Sequence, residues 1–170
     1  IATTKIDEDD TNLGYQLAGM IAARTDNSSF PECAERRVLA PLGMAASRGA
    51  MRAADRALYA AGYEPARMDR PWARPGPVAR APWVNYDRAS GCVASTGADM
   101  AKFLRFLIAL AQGDGGPVFS NETAARFLAN AAPADAWVEG VHYGNGIAHV
   151  TENERAYLHH TGGMVSFTSS

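Results

Sequence analysis

Ala89-Ser-Gly-Cys-Val-Ala-Ser-Thr-Gly-Ala-Asp-Met-Ala-Lys-Phe-Leu-Arg-Phe-Leu107 carries the chain from loop into its most regular segment. Asp87 to Gly97 is small and turn-rich. Ser95 or Thr96 can then cap a helix, because a side-chain oxygen there accepts from the unpaired N–H groups of the first turn. Met100, Phe103, Leu104, Leu107, Ile108 and Leu110 supply apolar residues at helical spacing from about Ala98 to Gln112. Asp99 is a first-turn charge and need not be catalytic. Gly113 to Gly116 breaks this helix, and Ser120 caps another through about Ala129.

On the N-terminal side, Gly62 to Pro82 holds Pro65, Pro71, Pro75, Pro77 and Pro82 with Trp72, which predicts an extended surface excursion. Trp72, Trp83 and Tyr86 either line a cleft or pin this loop to the body. The Ala-rich stretch from Arg52 to Ala61 predicts a helix. Ser29 caps an earlier helix with Pro31 in its first turn, where a missing N–H costs nothing. That helix runs through Cys33, Val38 and Leu39 to Pro41, and Leu42-Gly43-Met44 closes it. Before it, Thr11 or Asn12 caps a helix whose apolar face is Leu13, Leu17, Met20 and Ile21, reaching about Thr25. The acidic run Asp7 to Asp10 precedes that helix and suits its positive end. Ile1 to Ile6 fits strand or helix.

After Ala131-Ala132-Pro133 the pattern changes to strands. Val141, Tyr143, Ile147 and Val150 accompany Gly144 and Gly146, and Asn153 marks a turn. Tyr157 to Ser169 then predicts one further strand containing His160-Thr161-Gly162-Gly163. Glycines inside a strand mark a place where a ligand or another backbone comes close. Helices over 11–132, with the Pro-rich loop at 62–82, followed by sheet strands over 140–170 predict an α+β fold.

The chain has 170 residues, enough for one domain or part of a larger one, and its 47% hydrophobic and 20% charged composition permits a sizeable core. A net charge of −2 without any Lys/Arg-rich run gives no case for nucleic acid or an anionic membrane surface. No apolar run is long enough for a membrane span. Cys33 and Cys92 are too few for a disulfide framework, and neither they nor His142, His149, His159 and His160 have metal-ligand spacing. No cofactor and no metal is expected. The chain begins at Ile1 and stops within a strand pattern, so further residues are expected at both ends.

Four segments, in order, resemble the serine β-lactamase and penicillin-binding-protein superfamily, in its branch of class C-like β-lactamases, D-Ala-D-Ala carboxypeptidases and related esterases. The stretch 89–107 resembles the family's A-x-G-G-x-x-S-T-x-x-D-M-x-x-F. The helix of 13–21 followed by Phe30-Pro31-Glu32 and Pro41-Leu42-Gly43-Met44 resembles the segment from the Tyr-x-Asn motif to a Pro-Leu-Gly-Met turn in the helical subdomain. Tyr143-Gly144-Asn145-Gly146 resembles its Y-G-x-G strand, and His160-Thr161-Gly162 its third motif. The resemblance implies a β-lactamase/transpeptidase-like fold, of which this chain covers mainly the helical subdomain and strands of the antiparallel sheet. It also implies a serine hydrolase that forms an acyl-enzyme on an amide or ester, with a small-molecule or peptide substrate, in a periplasmic or secreted setting. The sequence does not give the oligomeric state.

Carried over residue by residue, the resemblance gives Gly163 the strand N–H of an oxyanion hole, beside His160, Thr161 and Gly162. His160 stands where many members carry lysine, and its neighbour His159 reads as structural. Asn12 falls on the asparagine of the second motif, yet Asp10 stands at the tyrosine and cannot repeat a phenolic proton relay. Ile1-Ala2-Thr3-Thr4-Lys5 resembles I-A-S-x-T-K without its serine, which would make Lys5 the base. Two explanations fit: a serine and an intervening stretch belong between these residues, or the chain is a non-catalytic relative or fragment that binds peptides or a partner.

Overall fold

The fold was described from a computed structural model covering residues 8–66, 77–91, 93–135, 139–164 and 166–169. The first helix, α1 (Glu8–Thr25), starts earlier than expected. Thr11 and Asn12 therefore lie inside it rather than at its start. Glu8, Asp9 and Asp10 fall in its first turn, where the backbone dipole favours negative charge.

Further along, α2 (Phe30–Ala34) is closed at its start by a reciprocal pair: Ser29 Oγ accepts from Glu32 N–H (3.4 Å), while Glu32 Oε2 accepts from Ser29 N–H (2.9 Å). The helix widens into a π turn over Glu35–Leu39, just before Pro41, whose ring cannot follow a regular α-helical ladder. Gly43 at φ +69° ends it, with Met44 N–H donating to Leu39 O (2.8 Å).

The Ala-rich stretch is not an α-helix. It forms a 3₁₀ turn over Ala53–Leu58, where no apolar stripe rewards a longer helix and Leu58 is exposed. The ends of the Pro-rich excursion come together as an antiparallel pair, β1 (Tyr63–Pro65) with β2 (Val78–Arg80). Trp72 lies outside the described residues.

Thr96 is the cap of α3 (Gly97–Ala111), accepting from Asp99 N–H at 3.3 Å, and Ser120 caps α4 (Asn121–Ala129), accepting from Thr123 N–H at 3.2 Å. The two helices close a core of Phe106, Leu110 and Ala124, with Phe103, Leu107, Phe119, Phe127, Leu42, Val118 and Leu128 packed around it. Rings run through this core at centroid distances of 6.3, 6.0 and 5.4 Å from Phe103 to Phe106, Phe119 and Phe127.

An antiparallel meander follows: β3 (Ala132–Pro133), β4 (His142–Gly144), β5 (Ile147–Glu152) and β6 (Arg155–His159), in that spatial order. The stretch around Tyr143 is a hairpin, because Asn145 (φ 52°) and Gly146 (φ 80°) make a two-residue turn with both residues left-handed. Gly144 lies against α4's end; a Cβ there would come within 2.3 Å of Asn130 O. Asn145 Nδ2 donates to Phe127 O (2.8 Å), which ties the hairpin to α4.

Tyr157 to Ser169 is not one strand. β6 ends at His159, and a separate hairpin, β7 (Gly162–Met164) with β8 (Phe167–Ser169), follows. The described residues fall into two compact units. One draws on 1–32, 49–94 and 162–169, the other on 33–48 and 95–161. The architecture is α+β, and among the described residues the strands pair antiparallel in three sheets.

Candidate functional site

The tripeptide His160-Thr161-Gly162 crosses from one unit to the other. His160 and Thr161 end the unit that contains α3, α4 and the meander; Gly162 opens β7 in the other unit. His160 is exposed, with its ring 6.3 Å from that of Tyr143, centroid to centroid, at 41°. Thr161 is also exposed.

Gly162 pairs with Ser169 and Gly163 with Thr168. A Cβ at Gly162 would lie 2.9 Å from Ser169 Oγ, whereas one at Gly163 would meet no heavy atom within 4 Å. The face of the hairpin over Gly163 thus has open space above its backbone, as close approach by a ligand requires.

Asn12 is an exposed residue inside α1, and no hydrogen bond among the described residues joins it to Gly162 or Gly163. Lys5 lies outside the described residues. His160, Thr161, Gly162 and Gly163 follow one another in sequence, and Asn12 lies 150 positions before Gly162, in the same unit as Gly162 and Gly163.

Sequence reading passed over a buried polar cluster. Asp99, 3% exposed, accepts from Ala46 N–H (2.8 Å), Ser47 Oγ (2.9 Å) and Lys102 Nζ (2.7 Å). Ser47 Oγ is also 2.8 Å from Ser95 Oγ, and Lys102 Nζ donates to Gly43 O as well. The Lys102 ammonium first, then the Ser47 hydroxyl and the Ala46 amide, hold the Asp99 carboxyl below its ordinary value, against the opposing pull of burial. Every polar atom of the cluster's acid is used in holding the loop 43–47 to the start of α3. Its chemistry is that of a clamp.

The Ser-Thr-x-x-Asp spacing of Ser95, Thr96 and Asp99 was the available signal, since it puts a carboxylate one turn into a capped helix. The partner residues 43–47 lie some fifty positions away, beyond any local pattern.

The sequence profile of the Beta-lactamase family matches residues 11–169. No curated protein sequence matches the chain. Among solved structures, the fold is similar to that of an octameric penicillin-binding protein homologue from Pyrococcus abyssi, at TM-score 0.71 and 22% identity over 92% of this chain and 33% of that one. It is also similar to a D-stereospecific amidohydrolase from Streptomyces sp., at TM-score 0.65 and 22% identity over 91% of this chain and 43% of the other. A D-amino acid amidase from Ochrobactrum anthropi SV3, complexed with D-phenylalanine, matches at TM-score 0.64 and 26% identity over 94% and 45%. The chain thus spans between a third and just under half of the length of these structures. Among the described residues no helix is long and apolar enough to cross a membrane.

Proposed function

The chain belongs to the Beta-lactamase family, and from that premise we propose that it is part of a serine hydrolase that opens a small amide through an acyl-enzyme. The observation that carries the reading is the open space over the Gly163 backbone, directly after the His160-Thr161-Gly162 motif. A backbone N–H fixed in a hairpin needs no reorganisation as negative charge develops on a carbonyl oxygen, and removing one such donor typically costs about 3 kcal/mol of barrier lowering.

In this reading Gly163 N–H donates to the oxyanion, and His160 and Thr161 contact the substrate beside it. Gly162 has no side chain to obstruct the strand edge. Asn12 orients the amide. Lys5, neutral in a desolvated site, takes the proton of a serine that precedes Thr3 in the whole protein. The serine oxygen bonds to the carbonyl carbon, the C–N bond breaks, and the amine leaves with that proton. Water then cleaves the resulting ester and restores the serine. The resemblance to D-amino acid amidase supports amides ahead of esters and β-lactams.

A second reading rests on the sequence itself. Ala2 stands three residues before Lys5, and Asp10 replaces the tyrosine of the second motif. A non-catalytic relative that binds peptides would look the same.

Intact mass followed by a fluorophosphonate or penicillin label separates the two. A mass above that of these residues, with one covalent adduct on a serine of a Ser-x-x-Lys, is expected. A protein of this mass that takes up no label would overturn the hydrolase reading.

A further inference from the structure

A shallow cleft is lined by Arg56, Tyr59, Gly62, Arg80, Trp83 and Phe167, all in one unit. Its walls are built by packing that the Pro-rich segment and the terminal hairpin share. Tyr59 and Trp83 stack with centroids 5.4 Å apart at 48°, and the Arg56 guanidinium carbon sits 5.6 Å from the Trp83 ring centroid. Ala81 N–H donates to Gly62 O (3.0 Å), which fixes the base of the cleft next to the β1–β2 pair. Gly62 is needed there: a Cβ would lie 2.6 Å from Ser166 Cβ and 3.3 Å from Phe167 Cε2. Beneath this contact Ser166 Oγ is buried and meets no hydrogen-bond partner among the described residues.

The charge in the cleft is one-sided. Arg56 and Arg80 both line it, and no acidic residue is among the described residues that do. Neither Arg56 nor Arg80 forms an ion pair with a described residue. A guanidinium lying over an indole uses its face for the ring and keeps its in-plane N–H fork for a planar oxyanion. The cleft measures about 30 Å³, room for one small polar group, and Tyr59, Trp83 and Phe167 are its aromatic lining. The cleft shares the β7–β8 hairpin with Gly163: Phe167 precedes Thr168, the cross-strand partner of Gly163.

We propose that this cleft binds the carboxylate of an aryl-bearing acid, the carboxylate between Arg56 and Arg80 and the ring against Trp83 and Phe167. The site goes beyond the hydrolase reading and does not depend on a nucleophile, so the two fail separately. An unreacted ligand reports on it.

The test is titration of the whole protein with phenylacetate, phenylacetamide and phenethylamine, followed by ligand-observed NMR or calorimetry. Phenylacetate should bind, the neutral amide should bind about tenfold more weakly, and the amine not at all, because only the acid can accept a bidentate pair. Arg80→Gln should weaken phenylacetate by about tenfold and Arg80→Lys by less, since lysine keeps the charge without the fork. Both substitutions are at an exposed position, so an unchanged melting curve is expected alongside the loss. An acetylated dipeptide ending in phenylalanine that binds better than phenylacetate would assign the cleft to peptide C-termini, and the reverse order to small aryl acids. Equal affinity for all three probes, no binding of phenylacetate, or an Arg80→Gln variant that binds it as the parent does would overturn the proposal.

Discussion

α1 and α3 have the same kind of apolar periodicity, and the structure uses it in opposite ways. α3 buries Phe106 and Leu110 against α4, with Leu110 fully inaccessible. α1 turns its large apolar residues outward: Leu13, Leu17, Met20 and Ile21 are 57, 53, 68 and 67% exposed. Its covered side is instead the row of Tyr15, Gln16, Gly19, Ala22 and Ala23, with Gly19 buried. Periodicity thus establishes that a helix has an apolar face, but not what covers it. The contrast has an energetic side. A Leu removed from water contributes about 1.5–3 kcal/mol, and a Leu at half exposure contributes much less.

That difference is best broken by truncating one leucine in each helix. Leu110→Ala should lower stability by about 2–5 kcal/mol, the transfer loss plus a cavity between α3 and α4. Leu17→Ala should change it by no more than about 0.5 kcal/mol. Urea midpoints for the two variants decide the point. Equal losses would mean that the α1 face is covered in solution.

A smaller effect is expected at the other end of α3. Asp99→Asn keeps the shape of the clamp and removes the charge that Lys102 and Ser47 engage. Its melting temperature should fall by roughly 5–10 °C at neutral pH. The sign with pH follows from the direction of the shift: the folded-state carboxyl titrates below its ordinary value near 3.8. Its stabilisation is therefore complete above that value and is lost as pH falls through the lower, folded-state one. The gap between the parent and Asp99→Asn should be constant above about pH 4 and close under stronger acid. A gap that stays open there would show that the loss in Asp99→Asn does not come from the carboxylate's charge.

What the sequence disclosed and what it withheld divide along the range of the interactions. Thr96 and Ser120 fix helix starts through bonds to residues three positions on, so α3 and α4 were readable at nearly the observed limits. Gly43 and the capping pair of Ser29 and Glu32 were local in the same way. Asn145-Gly146 was an equally local hairpin signal, but it was read as part of a continuous strand.

Tyr157 to Ser169 alternated like one strand, and its break at His160-Thr161 depends on pairing with different partners on either side. The candidate site was legible as the motif of His160 to Gly163. Asn12 was placed by alignment, and no described hydrogen bond connects it to Gly162 or Gly163. The Asp99 clamp had a local signature only on its helix side, in Ser95-Thr96-x-x-Asp99, and the cleft of Arg56, Arg80 and Trp83 had none, since the remaining partners come from segments far apart in the chain.

The smallest effects lie along α1 itself and sharpen the contrast between its two sides. Gly14 and Gly19 are both helical glycines, yet their surroundings differ. A Cβ at Gly14 would meet nothing within 4 Å, and one at Gly19 would fall 2.0 Å from Ala89 Cβ and 3.2 Å from Phe30 Cδ2. Gly14→Ala should therefore stabilise by about 0.5–1 kcal/mol, because alanine restricts the unfolded chain and costs nothing in the helix. Gly19→Ala gains the same propensity but must separate α1 from Ala89, an overpacking cost of about 1–3 kcal/mol. The net change is then a loss of up to about 2 kcal/mol. Opposite signs in chemical denaturation would establish that α1 packs through its small residues. Two stabilising substitutions would mean that the helix is free on the Gly19 side as well, and its large apolar face would then become the better candidate for its contact with the rest of the protein.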